Sequence, residues 1–312
     1  MTVDSPRCSV VSGALEEPLA ATAPLARAWL VLEQPGPWGP KALLASRLPA
    51  GLGPLLAEAS ADTGTTVVLA RRPGRHADDH GEMRAPRRFW VAHTAPGQVS
   101  LRSGTLEDPR TLADWDLAAL AAGDLPPVGV PDLRPVLFVC TNGRRDLCCA
   151  LAGRDLVDDL ADDPALRDRV WEVSHLGGHR FAPTVLLLPT GAVYGRLDPE
   201  SARDVLARAD EGVLARTGYR GRTALPRPAQ AAEIAVRDVA GVAGLDDLVT
   251  RPAPEGPGAP DGEQRHLVEH RDGRAWEVRV AAGELDPPRP ESCGKPPVTQ
   301  QAWRAVSVRP LA

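Results

Sequence analysis

Apolar positions in the first third of the chain come in short runs separated by turn residues. Ala28 to Leu32 is an apolar run stopped by Pro35-Gly36-Pro37, and Leu52 to Ala61 has helical spacing that leads into a second run, Thr65 to Ala70. Arg88 to His93 and Gln98 to Ser103 flank the Pro96-Gly97 turn as two further strands. This pattern predicts an α/β region over residues 1–125.

Gly123 to Pro135 holds four prolines and two glycines and reads as a linker. Beyond it, Pro135 to Val139 is a continuous apolar run ending at Cys140; the polar turn Thr141-Asn142-Gly143 follows, then a helical pattern from Asp146 to Leu160. Ala182 to Leu188 is the next apolar segment. Thr190-Gly191 turns it into a strand at Ala192 to Gly195, and a helix is expected over Pro199 to Ala209. These elements outline a middle module, residues 134–218. After a second Pro- and Gly-rich break at Arg251 to Gly262, His266 to His270 and Ala275 to Val280 alternate about Asp272-Gly273, which signals a hairpin. With a strand at Ala302 to Val308, residues 225–312 become a C-terminal region of one helix and a small, β-rich sheet.

At 312 residues the chain is long enough for about two domains. A formal net charge of -5 and a pI of about 5.8 give no bulk attraction to nucleic acid or anionic lipid. No apolar run approaches the ~18 residues of a membrane helix, and Met1 to Val11 lacks a leader pattern. The expectation is a cytoplasmic protein with neither nucleic-acid nor membrane partners. Lysine occurs only at Lys41 and Lys295, so individual arginines say little. Five cysteines, an odd number, point to metal or redox chemistry rather than a secreted disulfide framework.

The chemistry concentrates in one 40-residue stretch. Cys140 and Cys149 have eight residues between them, and His175 and His179 have three. Thiolate and neutral imidazole are strong ligands for iron, copper and zinc, and two of each makes a closed set of four. Cys140 ends a strand and Cys149 lies in the first turn of a helix, where the helix terminus favours a thiolate. Gly177-Gly178 predicts that the histidines share a loop. Separately, each residue has a plainer reading, as a small buried thiol or a loop histidine bonded to backbone. Zinc is the main rival metal: the histidine spacing suits it, but zinc knuckles usually place two to four residues between cysteines. A dithiol enzyme fits less well, because there is no C-x-x-C and a Cys148-Cys149 disulfide would distort the peptide. Cys8 and Cys293, near opposite ends of the chain, could meet in space and pair, but in a reducing cytoplasm the default reading is two unrelated thiols.

Cys140-Thr141-Asn142-Gly143-Arg144-Arg145-Asp146-Leu147-Cys148-Cys149, Trp171, and His175 through Thr184 together resemble the sucrase/ferredoxin-like family. Arg7-Cys8-Ser9, Glu33 to Gly39 and Glu291 to Lys295 extend the likeness more weakly. The resemblance implies a thioredoxin-like ferredoxin module in which a cis Pro183 opens a central strand beside the site. It further implies a 2Fe-2S cluster held by Cys140, Cys149, His175 and His179, with Cys148 as the alternative ligand. Arg180 and Trp171 would support the cluster. The implied function is single-electron transfer with a redox partner protein. Sugar hydrolysis, which the family name also raises, fits poorly: aromatic residues are only 4% of the chain. The acidic pairs Asp78-Asp79, Asp158-Asp159, Asp162-Asp163 and Asp246-Asp247 are sequence neighbours, not carboxylates facing across a cleft.

Overall fold

Ten strands from the first two thirds of the chain form one mixed sheet in the computed structural model, which describes residues 7–74, 86–254 and 262–311. The N-terminal third supplies β1 (Ala28–Glu33), β2 (Thr65–Arg71), β3 (Arg87–His93), β4 (Ser100–Leu106) and β5 (Val130–Pro131). The middle of the chain supplies β6 (Val136–Cys140), β7 (Val170–Val173), β8 (Thr184–Leu188), β9 (Ala192–Gly195) and β10 (Tyr219–Arg222). Their order is β10-β9-β8-β6-β7-β2-β1-β3-β4-β5, so the sheet continues across the Pro-rich linker, which itself contains β5. The protein is therefore a mixed α/β structure.

The seam between the two halves is β2 against β7, with Arg71 opposite Glu172. Their side chains form a buried ion pair at 2.6 Å, Thr141 donates its hydroxyl to Glu172 at 2.6 Å, and Arg71 donates to the Gly36 carbonyl at 3.0 Å. A buried pair of this kind is tolerable only because further hydrogen bonds satisfy its polar atoms. Glu172 also explains why β7 was absent from the sequence reading: a glutamate inside a four-residue strand hides the apolar run.

Around the seam, β6 and β7 run parallel and are joined by helix α4, here counted after α1 (Cys8–Ala14), α2 (Leu52–Ala59) and α3 (Leu117–Ala122), and spanning Leu147–Ala161. β8 is antiparallel to β6, β9 is antiparallel to β8, and helix α5 (Pro199–Asp210) follows. β6 and β8 are buried along their whole length. Leu156, Val157 and Leu160 of α4 and Val205 and Leu206 of α5 cover one face, while Trp29, Trp90 and Trp171 pack with Phe138 and Cys140 on the other. The Ala182–Pro183 bond is cis, as the family resemblance implies. Helices α1 and α3, at seven and six residues, are too short to show a periodic pattern.

The C-terminal sheet is a separate antiparallel meander of β11 (Leu248–Pro252), β12 (Glu263–His270), β13 (Ala275–Pro290) and β14 (Pro297–Leu311). Helix α6 (Arg227–Ala240) packs Ala232 and Val236 against Leu248, Val268, Trp276, Val278 and Val280. β13 and β14 run well past the expected 275–280 and 302–308. Beyond Val280 they leave the core and continue as a mostly exposed ribbon, held by backbone pairing out to Pro290 and Pro297. A ribbon without a buried face has no hydrophobic alternation to reveal it. Its turn carries Cys293 to helix α1.

Candidate metal centre

Strand β6 delivers Cys140 as its last residue, and the chain then turns sharply, with Thr141 N–H bonded to the Val173 carbonyl at 3.2 Å. Asp146 caps α4 by accepting from Cys148 N–H at 2.9 Å, so the helix starts at Leu147 and Cys149 falls in its first turn. The helix can pass close over the strand end because residue 153 is glycine: a Cβ there would stand 2.2 Å from the Cys140 carbonyl oxygen. Gly177 and Gly178 follow β7 with φ of 76° and 73°, and fold the chain back so that His179 opens a short 3-10 turn. A Cβ on Gly178 would lie 2.3 Å from a guanidinium nitrogen of Arg220.

All four residues singled out by their spacing converge. Cys140 lies beside Cys149 and His175, whose side chains act on its thiol, and the Cys149 sulfur is 3.3 Å from His179 Nδ1. The two imidazoles stack with centroids 4.9 Å apart. Cys140, Cys149 and His179 are buried, and His175 is half-buried with its Nδ1 atom buried and lacking any hydrogen-bond partner. A buried polar atom without a partner is costly, and here it leaves a ring nitrogen free to act as a ligand.

The hydrogen bond from Cys149, seconded by His175, holds the Cys140 thiol well below its ordinary range against the effect of burial. The same bond and burial push Cys149 up. The two thiols therefore act on each other in a place where water cannot solvate them. Burial lowers His179, keeping the neutral imidazole that binds metals. Arg220, fully buried, is pushed down to about 9 by desolvation first and by Arg180 next, yet remains a cation at neutral pH and feels the Cys149 sulfur. Two adjacent thiols, the His179 imidazole that burial keeps neutral and the orphaned ring nitrogen of His175 make a donor set that fits a metal or a cluster.

The other predicted residues sit further out. Trp171 is buried in the apolar cluster that includes Cys140, but its indole donates to the Asp168 carbonyl at 3.3 Å, away from the ligands. Arg180 lies over Phe181 and donates to Glu17 at 2.7 Å. Arg196 and Arg220 face the same ring at 5.5 and 5.0 Å, placing three cations beneath the histidine loop. Pro183 directly precedes β8. Asp146 was not singled out from the sequence, yet one of its oxygens, the Cys149 sulfur and a His179 nitrogen all lie within 4.8 Å of one another. Its place three residues before Cys149 was the available signal.

Cys148 points the other way, toward Cys8 at 3.5 Å and Cys293 at 3.2 Å. Cys8 and Cys293, by default two unrelated thiols, do meet, with sulfurs 3.6 Å apart, and all three cysteines are unbridged. Asp159 pairs with Arg203, Asp163 caps a short turn, and Asp246 and Asp247 pair with Arg222 and Arg271, so these acids serve local ion pairs and caps. Asp78-Asp79 lies outside the described residues. No helix among the described residues is long and apolar enough to cross a membrane.

Thiols and imidazoles gathered at the end of a buried strand give this α/β protein a group of side chains that could hold a metal ion. The sucrase/ferredoxin-like family profile matches residues 19–221, and the chain belongs to that family. Three fungal relatives carry the name altered inheritance of mitochondria protein 32. The Candida glabrata protein is 26% identical over 102 residues, 28% of this chain and 33% of its own length. The Eremothecium gossypii protein is 38% identical over 72 residues, 23% of this chain and 21% of its own. The Meyerozyma guilliermondii protein is 26% identical over 95 residues, 28% and 34% respectively. The chain thus spans about a third or less of these relatives. No solved structure matches it.

Proposed function

We propose that the protein transfers single electrons in the cytoplasm, using a 2Fe-2S cluster held by Cys140, Cys149, His175 and His179. The convergence of these four side chains, with His175 Nδ1 buried and unpartnered, is the observation that carries this reading. The strand order β7-β6-β8-β9, with cis Pro183 opening β8, supports a thioredoxin-like module around them. When bound, such a cluster stores one electron reversibly.

The residues of the chain set the terms of that storage. Two thiolates supply two negative charges, and the neutral imidazoles supply none. An all-thiolate site would be two charges more negative, so this site should take up an electron above the roughly -400 mV of plant-type ferredoxins and within the roughly -150 to +300 mV of centres with two histidines. The Asn142 backbone favours the charged form of Cys140, and Arg180, Arg196 and Arg220 add positive potential behind the histidine loop. Burial of both cysteines excludes water. His175, Gly177 and Gly178 are less buried, which makes this loop the docking point for a redox partner protein.

Anaerobically purified protein should contain about two irons and two acid-labile sulfides per chain, with a 2Fe-2S EPR signal on reduction. Stoichiometric zinc without sulfide, lost in Cys140→Ser, would replace this reading with a zinc site. The proximity of Asp146, Cys149 and His179 is the observation that favours that second reading.

A further inference from the structure

The opposite face of the first turn of α4 holds a second set of donors. Cys8 begins α1, Cys148 lies on α4, and Cys293 sits in the turn between β13 and β14. Their sulfurs are 3.5, 3.2 and 3.6 Å apart, and an Asp146 oxygen lies within 4.8 Å of all three. The carboxylate is held from several sides. Its Oδ1 accepts from Cys148 N–H at 2.9 Å, and its Oδ2 accepts from Ser292 Oγ and Cys293 N–H, each at 2.8 Å. A carboxylate has about four lone-pair sites, and the remaining one on Oδ1 is met only by the Cys8 thiol at 3.9 Å, so it opens to an ion when that thiol gives up its proton.

We propose that Cys8, Cys148 and Cys293, with Asp146 as fourth donor, form a zinc site distinct from the Cys140 set, tying the N-terminal helix and the C-terminal ribbon to α4.

Three thiolates and one oxygen make a closed set of the kind zinc takes in structural sites. A tetrahedral ion about 2.3 Å from each sulfur spaces the sulfurs by about 3.8 Å, so each has only a few tenths of an ångström to move. Packing alone does not account for the arrangement: thiols filling space would face carbon, whereas these face one another and a carboxylate. A disulfide would join two sulfurs and strand the third. A larger iron-sulfur cluster would bind each thiolate to a different iron and hold the sulfurs farther apart. On binding, each thiol still protonated gives its proton to solvent, and no electron moves.

The test uses the full chain expressed with iron and zinc both supplied and kept reduced. Metal analysis should find about one zinc per chain beside any iron, and zinc-edge X-ray absorption should show a shell dominated by sulfur. Cys8→Ser and Cys293→Ser should each lose that zinc and keep the iron and its visible spectrum, while Cys140→Ser should lose iron and keep zinc. The two metals are thus read independently, and failure here is distinguishable from failure of the cluster reading. In the unmutated protein, removing zinc with a chelator should speed alkylation of Cys293 at least tenfold without changing the iron spectrum. Zinc retained in Cys8→Ser, no zinc bound after incubation with an equivalent of zinc chloride, or a mass two hydrogens lower from a disulfide among the three would overturn the proposal.

Discussion

The two faces of α4 at Cys148 and Cys149 are built in opposite ways. On the Cys149 face, all four converging side chains come from one 40-residue stretch, and the strand end, the helix start and a glycine loop bring them together. On the Cys148 face the sulfurs come from positions 140, 145 and 285 residues apart in the chain. A site made from neighbouring segments can form with its own module. A site made from remote segments forms only after the rest of the chain has closed around it, and closing long loops costs entropy that a bound ion offsets. The first face is suited to chemistry, the second to fastening.

The largest expected difference between the faces is in iron. Cys149→Ser should abolish or displace the visible spectrum and reduce bound iron to background, while Cys148→Ser should leave both nearly unchanged. The reverse pattern, read by absorption and metal analysis, would exchange the roles of the two faces.

Arg71→Ala tests the seam that supports only one of them. It leaves Glu172 buried without the Arg71 guanidinium, beside the Thr141 hydroxyl that anchors the turn after Cys140. Losing one partner of a buried pair costs about 3–5 kcal/mol, measurable by urea unfolding, and iron loading should fall more than zinc loading. Equal loss of both metals would show that the faces are not structurally independent.

Smaller effects should come from Gly178→Ala. The new Cβ would press on the Arg220 guanidinium and hold a non-glycine residue at φ 73°, a strain of about 1–3 kcal/mol. The histidine loop would shift, and the visible spectrum should change in position before stability is lost. The smallest effect should come from Asp198→Ala, which removes the capping box at the start of α5, far from either face. A loss of about 0.5–2 kcal/mol with both metals intact is expected; a change in either metal would mean that loading simply tracks global stability.

The same contrast explains what could be read from the sequence. Cys140, Cys149, His175 and His179 were legible because ligand spacing, a strand end and a glycine pair all lie within one segment. The apolar runs of β1, β6 and β8 were legible because they are buried on both faces. β7 was not, because Glu172 is matched by Arg71 from another strand, a pairing no local pattern records. The ribbon of β13 and β14 was missed beyond Val280 because backbone bonds hold it without a buried stripe. The meeting of Cys8 with Cys293 depends on where that ribbon ends, so the sequence could offer it only as an open alternative and could not bring Cys148 into it.

Asp146 and Gly153 also act as an index mark on α4. Advancing a helix by one residue turns each side chain by about 100° and moves it about 1.5 Å, enough to bring Cys148 round toward Cys140 and swing Cys149 away. The bond from Cys148 N–H to the Asp146 carboxylate, and the bare backbone at Gly153 beneath the Cys140 carbonyl, fix the helix against that rotation. Two adjacent cysteines of identical chemistry are thus told apart by the angular setting of the rod that carries them.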